Sequence, residues 1–206
     1  MKMNKKILIG CLTILAIVLG IIGVFKLNFN NEDKTVDNGN NNIMNQENND
    51  SHDIAVIYFS ATGTTRKVTT SLNSKLNSDL IEIAPKNKYT SSDLDYNDTN
   101  SRVSKEHNDS STRPEIANDI DISKYNKIYL GYPIWWNDAP KIIYTFLDNY
   151  DLSSKKLYLF STSAGSGIEA SVNNIKRYNS NLNILNSKRF GSNFSDRELT
   201  EFINND

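Results

Sequence analysis

Tyr58-Phe59-Ser60-Ala61-Thr62-Gly63-Thr64-Thr65-Arg66-Lys67 follows the apolar run Ile54-Ala55-Val56-Ile57 and precedes Val68, Leu72 and Leu76, which recur at helical spacing. The pattern reads as strand, tight loop, helix. The loop holds four hydroxyls, one glycine that permits a close turn, and no acid. Hydroxyls and backbone N–H groups therefore converge at a helix N-terminus, where an anion is stabilised. The loop is a candidate phosphate cradle. A nucleoside-triphosphate loop needs Lys before its last Ser/Thr, where Thr64 stands here, and a dinucleotide fingerprint needs three spaced glycines, where only Gly63 is present. A monophosphate held by many short hydrogen bonds suits this loop better.

Working outward, the same alternation recurs. Asp79-Leu80-Ile81-Glu82-Ile83-Ala84 reads as a half-buried strand ended by Pro85. A long polar connection, 86–121, follows, with 100–106 as its helical candidate and Arg113-Pro114-Glu115 as its one distinctive trio. Lys127-Ile128-Tyr129-Leu130-Gly131 reads as a buried strand that runs into Tyr132-Pro133-Ile134-Trp135-Trp136-Asn137. Asp138 and Pro140 then open a helix with Ile143, Phe146 and Leu147 on one face. Adjacent tryptophans in a loop cannot both enter the core, so at least one is expected to line a surface site.

Lys156-Leu157-Tyr158-Leu159-Phe160 is a further strand, and its loop, Ser161-Thr162-Ser163-Ala164-Gly165-Ser166-Gly167, is built of small residues that let backbone approach a flat ligand. A helix with Ile168, Val172 and Ile175 follows. The last strand spans 182–185, with a possible extension to Phe190. The last helix starts at Ser195 with Glu198 three residues on, a capping box, and buries Leu199, Phe202 and Ile203.

Five strands alternating with helices imply an α/β fold, a doubly wound parallel sheet with helices on both faces. In the order 2-1-3-4-5, strands one, three and four are neighbours, so the three unusual loops meet at the switch point of the sheet. A phosphate cradle, an aromatic slab and a small-residue loop around one crevice suit a flat, phosphorylated, redox-active ring.

Residues 54–204 resemble the flavodoxin family, in a branch with paired tryptophans. Ser60-Ala61-Thr62-Gly63-Thr64-Thr65 is similar to its phosphate loop, Gly131-Tyr132-Pro133-Ile134-Trp135-Trp136 to its second flavin loop, and Ser161-Thr162-Ser163-Ala164-Gly165-Ser166-Gly167 to its third. Arg113-Pro114-Glu115 also resembles that branch, which would place this trio near the site. The resemblance implies one noncovalent FMN. Its phosphate would lie on Ser60, Thr62, Gly63, Thr64 and Thr65. Its ring would lie between Pro133, Ile134, Trp135 and Trp136 on one side and Thr162, Ser163, Ala164, Gly165 and Gly167 on the other. Two departures from electron-carrier flavodoxins stand out: the third loop lacks an aromatic, and from Asp53 onward 18 Lys and Arg nearly balance 19 Asp and Glu. Three functions follow as expectations. They are a flavodoxin-type oxidoreductase passing hydride to a quinone-like acceptor, a one-electron carrier serving a redox protein, and a binding domain that has lost its cofactor.

Composition excludes other classes. Cys11 is the only cysteine, and His52 and His107 are the only histidines, which removes disulfides, Cys/His catalysis and a metal site built from those residues. A net charge of −1 offers no basic field for nucleic acid.

The first 52 residues read differently. Lys2, Lys5 and Lys6 precede an uncharged run from Ile7 to Phe25, long enough to cross a hydrocarbon core of roughly 30 Å. Residues 1–27 are read as a membrane anchor or signal segment, single-pass, with the domain outside the cytoplasm by the charge rule. Leu8-Ile9-Gly10-Cys11 is the alternative, a lipoprotein site, but its apolar stretch before Cys11 is short. Residues 28–52 are dominated by Asn and read as a disordered tether with a reach of roughly 25–30 Å, leaving 53–206 as the folded FMN-binding domain.

Overall fold

A computed structural model describes residues 53–205. The predicted anchor at 1–27 and the tether at 28–52 lie outside the described residues. Among those described, no helix is long and apolar enough to cross a membrane.

The first strand, β1 (Ile54–Tyr58), is buried at all five residues, as a strand flanked on both sides and covered on both faces must be. The elements then run α1 (Thr64–Leu76), β2 (Asp79–Glu82), α2 (Arg102–Asn108), β3 (Lys127–Pro133), α3 (Lys141–Asn149), β4 (Lys156–Thr162), α4 (Glu169–Tyr178), β5 (Asn183–Phe190) and α5 (Asp196–Asn204). The five strands are parallel and ordered β2-β1-β3-β4-β5, the predicted order.

Strand alternation sends side chains to two cores. On one face Val56, Tyr129, Tyr158 and Phe160 pack with Val68 and Leu72 of α1 and Leu199 and Phe202 of α5. On the other, Ile57, Leu130, Tyr132 and Leu159 pack with Val103 of α2, Ile142, Ile143 and Phe146 of α3, and Val172 and Ile175 of α4. The Ser195 and Glu198 capping box forms as read.

Boundaries moved where strand ends are tied to neighbours. β2 stops at Glu82, because the Ala84 amide turns to Asn118 Oδ1 at 2.9 Å, and Leu80 is exposed on this edge strand. β3 and β4 each run two residues further than their apolar runs, held by the pairing of Tyr132 with Ser161 and Pro133 with Thr162. The helical candidate in the long connection is α2, shifted by two residues because Ser101 caps it by accepting from the Ser104 amide. Asp138 does not enter the next helix, which begins after Pro140.

Candidate functional site

The switch point brings the ends of β1, β3 and β4 side by side, and hydrogen bonds carry the pairing into the loops. The Phe59 amide donates to Gly131 O at 2.9 Å and the Ile134 amide to Thr162 O at 2.9 Å. Thr65 Oγ1 and Thr162 Oγ1 share a buried hydrogen bond of 2.8 Å, which ties the first loop to the end of β4.

In the first loop, Gly63 takes φ 90°, a left-handed conformation that disfavours any residue with a Cβ. This bend brings the Gly63 and Arg66 amides onto Ser60 Oγ at 3.1 and 3.3 Å. The N-cap residue Gly63 has no side chain to offer and the first turn of α1 carries no acid. Apart from the Gly63 and Arg66 amides taken up by Ser60 Oγ, the positive dipole end of α1 therefore faces the loop. Arg66 does not neutralise that site. Its Nη2 pairs with Glu82 at 2.6 Å and its Nε donates to the Tyr58 hydroxyl at 3.1 Å. Burial raises the Tyr58 phenol above its ordinary value, with the Arg66 hydrogen bond opposing, so Tyr58 stays neutral and takes part as a hydrogen-bonding group only.

Six of the residues read from the sequence line one cleft of about 530 Å³: Thr62, Thr64, Pro133, Thr162, Ser163 and Ala164. Ser60, Gly63 and Thr65 do not line it; their hydrogen bonds hold the shape of the first loop. Ala164 and Gly165 are exposed, and the third loop is closed by Ser163 Oγ donating to Ser166 O. A Cβ on Gly167 would meet only the far end of the exposed Glu169 side chain, which can move aside.

The cleft has a fourth side that the sequence reading missed: Arg189, the turn from Gly191 to Phe194, and Glu198. Arg189 is the only cation that lines the cleft among the described residues, and its Nη1 donates to Ser163 O at 3.4 Å. Glu198 accepts from the Ser195 amide and hydroxyl, which holds its carboxyl below the ordinary value. The signal was in the register. Extending the last strand to Phe190 pairs it with Thr162, and that pairing sets Arg189 beside the third loop.

The tryptophans divide. Trp135 is 9% exposed and packs edge-on against Phe59 and Tyr89, with ring centroids at 5.5 and 5.1 Å. Trp136 is 42% exposed and stacks on His107 at 4.9 Å, nearly parallel. Neither ring lines the 530 Å³ cleft, and Ile134 is half-buried against the core. Both rings lie against the long connection and α2, which hold the loop by its far side. Arg113 is likewise remote from the cleft. Its guanidinium reaches Asp148 of α3 at 2.7 Å and the Tyr178 hydroxyl of α4 at 2.9 Å, so Arg113 fastens the connection to those helices, while Glu115 pairs with Lys86 within the connection.

Strand order, helix placement and a cleft over the β1, β3 and β4 ends define a doubly wound protein with its site at the switch point. A flavodoxin family model matches residues 53–206. The chain belongs to the flavodoxin family. It is similar to a candidate flavoprotein from Bacteroides eggerthii, at 38% identity and TM-score 0.71, over 73% of this chain and 95% of that one. A candidate flavoprotein from Bacteroides uniformis aligns at 34% identity and TM-score 0.71, over 74% and 98%. A Lactobacillus acidophilus flavoprotein in complex with FMN shares the fold at 24% identity and TM-score 0.57, over 73% and 97%. Comparison with curated proteins returns no match.

Proposed function

We propose that the domain binds FMN noncovalently and serves as a flavodoxin-type redox protein. The observation that carries the reading is the donor set of the first loop. Gly63 is bent at the mouth of α1, the first turn of the helix is free of acid, and the only nearby Arg of the helix is spent on Glu82. Such a cradle fits a phosphate monoester, which accepts many hydrogen bonds and is favoured at a helix N-terminus. Family membership and the FMN complex of the Lactobacillus acidophilus relative support the same cofactor.

Thr62 and Thr64 would hold the phosphate from the cleft side, with Ser60, Gly63 and Thr65 fixing the shape of the loop. Pro133 and Ile134, and Thr162 to Gly167, would border the ring. FMN, when bound, supplies the capacity to take and give electrons singly or as hydride. The chain's own residues bind it, orient it and set how much of it meets solvent.

Exposed Ala164 and Gly165 leave the third wall low, and a low wall lets a flat molecule approach within the roughly 3–3.5 Å that hydride transfer needs. This favours two-electron exchange with a quinone-like acceptor over a pure one-electron carrier for a redox protein. The Lys-flanked uncharged run Ile7–Phe25 supports a place for the domain on the outer membrane surface, held by an N-terminal anchor.

The test compares FMN with riboflavin on the purified full chain. FMN is expected to bind with at least about 100-fold higher affinity, the worth of a few charge-assisted hydrogen bonds. Equal affinity for the two flavins would remove the phosphate cradle from the reading. Absence of quinone turnover in the FMN-loaded protein would restore the one-electron carrier.

A further inference from the structure

We propose that the cleft beside α2 is a second ligand site, one that takes the diphosphate group of a small phosphorylated molecule. The cleft measures about 580 Å³, within the range of small-molecule sites. It lies in the 86–121 connection and shares no lining residue with the cleft over the strand ends. The inference does not depend on the flavin reading.

The lining of this cleft carries more cations than acids. Four cations line it, Lys88, Arg102, Lys105 and Arg113, against two acids, Asp93 and Glu106. The acids are already engaged. Asp93 Oδ2 accepts from the Thr90 amide and the Thr90 hydroxyl, each at 2.8 Å. Glu106 is buried and accepts from Arg102 Nε at 2.7 Å and from the Tyr89 hydroxyl, 3.0 and 2.9 Å from its two oxygens. Arg113 is held by Asp148 and Tyr178. Lys88 and Lys105 are exposed, and neither ammonium group has a hydrogen-bond or ion-pair partner among the described residues. Lys75, Lys86, Lys124 and Lys188 are each paired with a carboxylate, whereas in this cleft two ammonium groups without such a partner line the same space.

Arg102 gives the cleft a rigid element. Its guanidinium lies 3.8 Å from the Tyr89 ring centroid, and its Nη1 donates to Asn87 O at 2.7 Å. A planar fork fixed from several sides loses little freedom when it binds an oxyanion. One carboxylate would leave one of the two ammonium groups unmatched, and Arg102, already paired with Glu106 through Nε and with Asn87 O through Nη1, has Nη2 left to give. A phosphate ester carries about −1.5 to −2 charges at neutral pH, and two linked phosphates offer oxygens to all three groups and to the Thr112 hydroxyl.

Calorimetric titration of the full chain with inorganic pyrophosphate at low ionic strength tests the assignment. One-to-one binding is expected. The double substitution Lys88→Gln and Lys105→Gln should weaken it by at least about tenfold and leave the unfolding midpoint unchanged, because both side chains are exposed and unpaired. Malonate, a dicarboxylate, should bind more weakly than pyrophosphate, and added FMN should not compete. No heat of binding, binding that survives the double substitution, malonate binding as tightly as pyrophosphate, or displacement by FMN would each overturn the proposal.

Discussion

The first and second strand-end loops reach similar backbone conformations by opposite means. Residues 60–65 turn at Gly63, and the bend is kept by hydrogen bonds that span three and six residues, from the Gly63 and Arg66 amides to Ser60 Oγ. Residues 134–138 turn at Trp136 and Asn137, with φ 53° and 58°, and neither is glycine. There the Trp135 amide donates to Asp138 O and the Asp138 amide to Trp135 O, both at 2.9 Å. The rings are held from outside, Trp135 by Phe59 and Tyr89, Trp136 by His107 and Tyr96. A loop whose conformation is written into its own residues can stand alone. A loop of left-handed tryptophan and asparagine is strained unless its surroundings over-determine it.

The largest expected effect comes from removing that outside support. Tyr89→Ala takes the ring from Trp135 and from the Arg102 guanidinium and strips both hydroxyl contacts from buried Glu106. Urea unfolding should show a loss of about 3–5 kcal/mol, the range for truncating a large packed side chain, together with a shift in tryptophan fluorescence. FMN affinity per folded molecule should fall less than stability does, since the hydrogen bonds of Ser60 Oγ with the Gly63 and Arg66 amides do not involve Tyr89. A loss below about 1 kcal/mol would mean that the second loop holds its shape without the connection.

A smaller effect is expected in the first loop, and of a different kind. No atom lies within 4 Å of a Cβ built on Gly63, so Gly63→Ala meets only the backbone cost of φ 90°, about 1–2 kcal/mol. Chemical denaturation measures that cost. FMN affinity should fall by more than stability does, because relaxation toward negative φ turns the amides away from the phosphate. An unchanged flavin affinity in a folded Gly63→Ala protein would break the link between this bend and binding.

The same contrast explains what could be read beforehand. The strand–helix alternation, the α5 capping box and the Ser60–Thr65 loop follow from local periodicity and turn chemistry. The strand order is expected from the few topologies that right-handed crossovers leave. The structure has each of them. Missing were relations between residues distant in sequence. Tyr89 meets Trp135 across 46 residues, Arg113 reaches Asp148 across 35, and Arg189 comes to Ser163 across 26. None of these has a period or a spacing to betray it. The placement of Trp135 and Trp136 away from the large cleft follows from the first of these contacts, and the remoteness of Arg113-Pro114-Glu115 from the second.

The smallest expected effect separates strain from support within the second loop. Asn137 takes φ 58°, is exposed, and its side chain has no hydrogen bond among the described residues, so it gives the fold little beyond its backbone. Asn tolerates the left-handed region better than most residues, and glycine tolerates it without cost. Asn137→Gly therefore removes a residual strain. The gain is offset because glycine loses about 0.5–1 kcal/mol more chain entropy on folding. The net change should be a stabilisation between zero and about 1 kcal/mol, opposite in sign to Gly63→Ala at a backbone angle in the same half of the map. Paired urea titrations of the two variants resolve the signs. If Asn137→Gly instead costs about 1 kcal/mol or more, the Asn137 side chain stabilises the turn directly, and the second loop is held from within as the first one is.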